Sequence, residues 1–80
     1  MKTYTYTINI TPDNEGNFIV TVPALQGCHT FGKTIDEAIV NAREAIQCYL
    51  ESLVKEGDPI PKEQKSFPVM LDVSLTAFVA

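Results

Sequence analysis

The chain is poor in the residues that carry most protein chemistry. It holds two cysteines, Cys28 and Cys48, and one histidine, His29, in 80 residues. Two thiols are too few for the disulfide framework of small secreted domains, so both are expected to be free in a reducing, cytoplasmic setting. A zinc site needs three or four ligands at matched spacing. Cys28, His29 and Cys48 supply neither the number nor a CxxC or HxxxH pattern, and neither metal nor other cofactor is expected. Cations are scarce as well. Six Lys and Arg against ten Asp and Glu leave a net charge of -4, the wrong sign for gripping a phosphate backbone unaided, so direct nucleic-acid binding is not expected. No run approaches the ~18 apolar residues of a membrane span. The N-terminal MKTYTYTINI alternates threonine with apolar residues where a signal peptide would hold an unbroken apolar core. Neither internal repeats nor low-complexity tracts occur. Eighty residues divided in two would leave each part below the size at which a core sustains itself, so residues 1–80 are expected to form a single domain. Ordering a chain costs about 1.5 kcal/mol per residue, which so small a core barely offsets, and self-association is an early expectation.

What is present is patterning. Tyr4, Tyr6, Ile8 and Ile10 alternate with Thr3, Thr5, Thr7 and Asn9, the period of a strand covered on one face. Pro12 to Gly16 reads as a reversal, with a preset φ, turn-tolerant Asp13 and Asn14, and a glycine that accepts positive φ. Phe18, Val20 and Val22 then alternate with Ile19 and Thr21 until Pro23 ends regular pairing. A third short strand is expected over about Cys28 to Lys33, bounded by Gly27 and Gly32.

Thr34-Ile35-Asp36-Glu37 is a capping box, so a helix is expected from Ile35. Ile35, Ala38, Ile39, Ala42, Ala45, Ile46, Tyr49, Leu50 and Leu53 form one apolar stripe that should lie on the sheet. Asp36 and Glu37 suit its N-terminal end and Lys55 its C-terminal end, before Gly57 caps it and Pro59 prevents continuation. After a polar loop stiffened by Pro59 and Pro61, alternation returns: Phe67, Val69, Leu71, Val73, Leu75, Ala77 and Val79 share a face. Thirteen residues in strand would reach about 43 Å, longer than the roughly 30 Å diameter of a compact chain of this size. An apolar overhang with unpaired backbone groups invites a second chain, so a homodimer through Ser74, Leu75, Thr76, Ala77, Phe78 and Val79 is expected. The order βββαβ predicts a right-handed crossover that sets the last strand parallel to the first. The expected fold is α+β, a mixed four-stranded sheet of order 3-2-1-4 with one helix packed on one face.

No reactive constellation emerges. Neighbouring strand residues point to opposite faces, so His29 cannot serve Cys28 as its base. A meander, helix and parallel strand also make the first half of a ribonuclease H arrangement, but the inward carboxylates that would hold divalent metal are missing. Gly27 to Thr34 lacks the spacing of a phosphate loop. No enzymatic activity is expected.

Gly27-Cys28-His29-Thr30, Gly32, Thr34, Glu37-Ala38, Asn41-Ala42, Glu44-Ala45-Ile46, Gly57 and Pro59-Ile60-Pro61 together give the chain its strongest resemblance, to the HicB-type antitoxins of prokaryotic toxin-antitoxin modules. The most specific part runs from Gly27 to Ile46, where a glycine-bounded strand enters a helix through T-x-x-E-A. The resemblance implies a partial ribonuclease H fold without its catalysis. It also implies an antitoxin that neutralises a small HicA-type mRNA interferase by direct protein binding. Such toxins are basic RNA binders, so an acidic partner gains association rate from steering. Many members carry a further DNA-binding domain of helix-turn-helix or ribbon-helix-helix type. None is expected within residues 1–80, which read as one HicB-like domain without a C-terminal DNA-binding domain. The expected toxin contacts are the acidic turn at Asp13 and Glu15 and the edge strand at His29, Thr30 and Phe31. The rivals are a stand-alone homo-oligomeric module binding another ligand, and a degenerate nuclease, which would cleave RNA with magnesium.

Overall fold

The computed structural model describes residues 2–76. Three strands and one helix follow one another: β1 (Asn9–Pro12), β2 (Phe18–Thr21), β3 (His29–Gly32) and α1 (Ile35–Glu56). The strands form an antiparallel meander in the order β1-β2-β3, with Ile10 opposite Val20 and Val20 opposite Thr30. The first reversal forms where the turn residues predict it. Asp13 N–H donates to the Asn17 carbonyl at 2.9 Å. The Asp13 carboxylate accepts the amides of Glu15 and Asn17, each at 2.8 Å, and Gly16 takes φ +85°.

Helix α1 spans 22 residues between the two signals read from sequence. The Thr34 hydroxyl accepts the Glu37 amide at 3.0 Å, while the Glu37 carboxylate reaches back to the Lys33 amide at 2.8 Å, one residue before the cap. At the far end Gly57 adopts φ +76°. Its N–H and that of Asp58 donate to the Val54 and Leu53 carbonyls at 3.1 and 2.9 Å, the paired bonds of a Schellman end.

The helix packs across β2 and β3, and two small cores lie beneath it. Val20, Ala38 and Ala42 make the first, with Ile8, Ile10 and Phe18 around them. Val22, Leu25 and Cys28 make the second, flanked by Tyr6, Ile46, Tyr49 and Leu50. Gly32 lies buried on the helix-facing side of β3, where its bare Cα lets the Ala38 backbone come close. Helix side chains also tie down the neighbouring backbone: the Asn41 amide donates to the Phe31 carbonyl and the Tyr49 hydroxyl to the Gln26 carbonyl, both at 2.8 Å.

Three expectations need correction. Strand pairing begins at Asn9, not Tyr4, because β2 ends at Thr21, the partner of Asn9, and Pro23 lies just beyond. Ile35 and Ile39, placed on the covered stripe by periodicity, are 51% and 39% exposed, because the buried contact is made by the small Ala38 and Ala42. Most consequentially, the sheet among the described residues has three strands, not the four of order 3-2-1-4, and Phe67 to Thr76 form no strand.

After α1 the chain comes back beside the segment that precedes β1. Ile60–Glu63 runs alongside Tyr4–Thr7 in the same direction, with the Tyr6 hydroxyl on the Pro61 carbonyl at 2.5 Å. The Thr7 amide donates to the Glu63 carboxylate at 2.8 Å, and the Thr7 hydroxyl donates there too. These bonds run through side chains, and Pro61 has no N–H to offer a ladder. With Glu63 level with Thr7, Phe67 would be level with Thr11, and everything past Pro68 would overrun the end of β1. Phe67, Val69, Met70, Leu71, Val73 and Leu75 are all strongly exposed. The molecule measures 59 × 28 × 21 Å with a radius of gyration of 17.0 Å, against about 12 Å for a compact chain of this length.

Candidate functional site

Strand alternation divides the sheet into two faces. Ile10, Val20 and Thr30 form a rung facing α1. The opposite face carries two rungs, Asn9–Thr21–His29 and Thr11–Ile19–Phe31, and all six residues are exposed. Phe31 is 55% exposed and its cross-strand neighbour Ile19 37%. A large aromatic is thus left open beside an aliphatic side chain, within a ring of Thr, Asn and His.

One end of this face is acidic. The turn bearing Asp13 and Glu15 follows β1 directly beyond the Thr11 rung, and the helix N-terminus bearing Asp36 and Glu37 follows β3 at the same end. Lys33 is the one cation between β3 and α1. Asp13 also has a structural task. The Asn17 amide, and next the Glu15 amide, hold its carboxyl below the usual aspartate range. A folded-state value below the unfolded one means that the bonds stabilise the fold above about pH 3.9, the ordinary aspartate pKa. That contribution is lost as pH falls through the lower folded value. Asp13→Ala is therefore expected to lower the urea midpoint at pH 7. The gap from the unsubstituted chain should close in acid, once the folded-state carboxyl is protonated; a gap constant with pH would contradict the assignment.

The residues singled out by sequence separate on this framework. His29 and Phe31 lie on the outer face, and Glu15 is exposed in the turn at its edge. Asp13 sits in the same turn, half-buried by its own bonds. Thr30, between His29 and Phe31, faces the helix and is half-buried. Ile19 and Thr21 complete the patch; they were visible only as the off-phase positions of the Phe18, Val20, Val22 alternation. Of the six dimer positions, Ser74, Leu75 and Thr76 are exposed, and Ala77, Phe78 and Val79 lie outside the described residues.

Cys28 and His29 do point apart: Cys28 is buried and His29 exposed. Burial pushes the Cys28 thiol up from its ordinary pKa, which disfavours the thiolate a nucleophile needs. Among the described residues no three His, Cys, Asp or Glu side chains are grouped to hold a metal ion. Nor is any helix among them long and apolar enough to cross a membrane.

The chain matches known proteins over most of its length. The model of a HicB-like antitoxin of bacterial toxin-antitoxin systems matches residues 6–73. A UPF0150 protein of Thermoplasma acidophilum is 52% identical over 58 residues, covering 72% of this chain and 84% of that protein. A UPF0150 protein of Synechocystis is 45% identical over 60 residues, covering 75% and 76%. The crystal structure of the N-terminal domain of the Burkholderia pseudomallei antitoxin HicB superposes with a TM-score of 0.62 at 36% identity, covering 80% of this chain and 69% of that one. Motif, three-stranded meander, capped helix and these matches agree: the chain belongs to the HicB-like antitoxin family of bacterial toxin-antitoxin systems.

Proposed function

We propose that this protein is the antitoxin of a HicAB-type module and neutralises a small HicA-type mRNA interferase by binding it directly, in the cytoplasm and without catalysis. The observation that carries the reading is the uncovered sheet face, where Ile19, His29 and Phe31 lie together beside the acidic end formed by Asp13, Glu15, Asp36 and Glu37. An exposed aromatic supplies the desolvated anchor of a protein contact. The negative end supplies the steering field for a basic toxin, raising the association rate more than the final affinity. The partial ribonuclease H relationship is part of the same reading, supported by a chain that comes back after α1 beside Tyr6 and Thr7, the residues that lead into the first strand.

Co-expression with the adjacent toxin gene tests it. Growth should be restored and the two proteins should co-purify, with an association rate that falls as salt rises. Continued arrest without a complex would refute neutralisation. Magnesium-dependent RNA cleavage that followed the purified polypeptide would favour the degenerate nuclease instead.

A further inference from the structure

On the helix side of the sheet, a slot of roughly 760 Å³ separates the N-terminal segment from the flank of α1. The fold leaves it there for two reasons. Helix α1 packs on β3 and β2, and the residues before Asn9 belong to no strand. Tyr4, Tyr6 and Ile8 therefore stand opposite Ile39, Ile46 and Leu50 without filling the gap between them. The slot follows α1 from Ile39 to Leu50, about 17 Å at the helical rise. A mostly apolar cavity of several hundred Å³ with a few polar groups is the usual form of a small-molecule site.

Its charges run against those of the chain. Acids outnumber cations ten to six overall, yet the slot is lined by two cations and no acid: Lys2 on the N-terminal wall and Arg43 on the helix wall. Arg43 is the one arginine of the sequence. Glu51, one turn past Gln47 on the same flank, accepts its amide at 3.5 Å and lines the next groove along, with Val54 and Ile60, not the slot. Such a lining selects an anion and disfavours a basic protein such as the toxin. The anion is not a phosphate held by helix amides, because the slot begins at Ile39, past the first turn of α1. Walls of Ile, Leu and Ala suit a flexible alkyl chain, and the stems of Lys2 and Arg43 can cover it while their charged heads stay at the surface.

We propose that the slot binds a free medium-chain carboxylate, its alkyl chain lying along Ile39, Ile46 and Leu50 and its head group meeting Arg43, with Lys2 on the other wall. The site is on the opposite side of the sheet from Ile19 and Phe31. It needs no toxin, so it stands or falls separately from neutralisation. A bound carboxylate ties the N-terminal segment to α1 and stabilises the folded state by mass action.

Calorimetric titration and thermal unfolding of the full chain test this with decanoate, kept below its micelle-forming concentration. Decanoate should bind saturably at one site per chain and raise the Tm with concentration. Decyltrimethylammonium, with a matching chain and the opposite charge, should do neither. Arg43→Glu should weaken decanoate binding by at least about 10-fold, as loss of a charge-assisted contact does, and should admit decyltrimethylammonium. Arg43→Lys should stay within about 3-fold of the parent. Ile39→Trp, which narrows the slot without changing its charge, should weaken decanoate as Arg43→Glu does. Arg43 and Ile39 are exposed and belong to neither core, so all variants should keep the helical circular dichroism of the parent. Equal binding of the two amphiphiles would overturn the proposal, as would decanoate binding untouched by Arg43→Glu and Ile39→Trp. So would the absence of saturable binding, as when a second copy already fills the slot. Capture by phosphatidylglycerol vesicles without uptake of free decanoate would overturn it too, making the slot a membrane contact.

Discussion

Gly32→Ala is expected to destabilise the protein by about 3 kcal/mol or more, at the upper end of what overpacking does. A Cβ built at Gly32 would stand 2.4 Å from the Ala38 nitrogen, 2.7 Å from its Cα and 2.9 Å from the Glu37 carbonyl carbon. All three are backbone atoms in the first turns of α1, so no flexible side-chain tip is available to swing aside. Reaching ordinary contact near 3.5 Å would push the helix off β3 by about 1 Å. The displacement falls on Ala38 and Ala42, which with the fully buried Val20 make one of the two cores. A domain of this size has a total stability of about 4–12 kcal/mol, so the substitution removes a large share. Gly16 is the internal control. Its Cβ would meet nothing within 4 Å, but it sits at φ +85°. Gly16→Ala is expected to cost only the local strain of a left-handed residue, about 1–2 kcal/mol. Urea unfolding of both variants checks the order; equal midpoints would mean that helix and β3 are not in backbone contact.

Phe31→Asp is expected to leave stability within about 0.5 kcal/mol of the parent while weakening toxin binding by about 100-fold or more. The contrast follows from geometry. Phe31 is more than half exposed on the sheet face away from α1, so the isolated antitoxin gains little from it. In a complex it would be the largest apolar side chain of the patch, and a carboxylate there would be desolvated without a partner. Charge reversal at Glu15 should act differently, slowing association with little change in dissociation, because a rim charge steers and does not anchor. Surface plasmon resonance at two salt concentrations separates the two effects. Binding that is indifferent to Phe31→Asp would move the contact off this face.

Where sequence reading succeeded, the signal was local. Thr34 and Glu37 close the start of α1, Gly57 closes its end, and Asp13 with Gly16 makes the first turn; each depends on residues a few positions apart. The outer face was half legible. Alternation puts Ile19 out of phase with Val20, but only the Thr11–Ile19–Phe31 register shows that Ile19 and Phe31 are neighbours, and that Thr30 faces the helix instead. Two features left no local trace. Gly32 looks like any strand-end glycine until the approach of Ala38 is known. The alternation from Phe67 onward reads as a strand because a strand pattern does not say which edge it pairs with. Where the chain does meet the N-terminal segment, at Glu63 and Thr7, the contact runs through the Glu63 side chain, and Pro61 has no N–H to start a ladder.

The bond from Asn41 to the Phe31 carbonyl engages one acceptor of β3, a four-residue strand at the border of the sheet. Border strands carry unpaired backbone groups that a foreign strand can use. One that sought this carbonyl would have to displace the Asn41 amide first, so the same contact that fastens helix to sheet also occupies a point of possible strand addition.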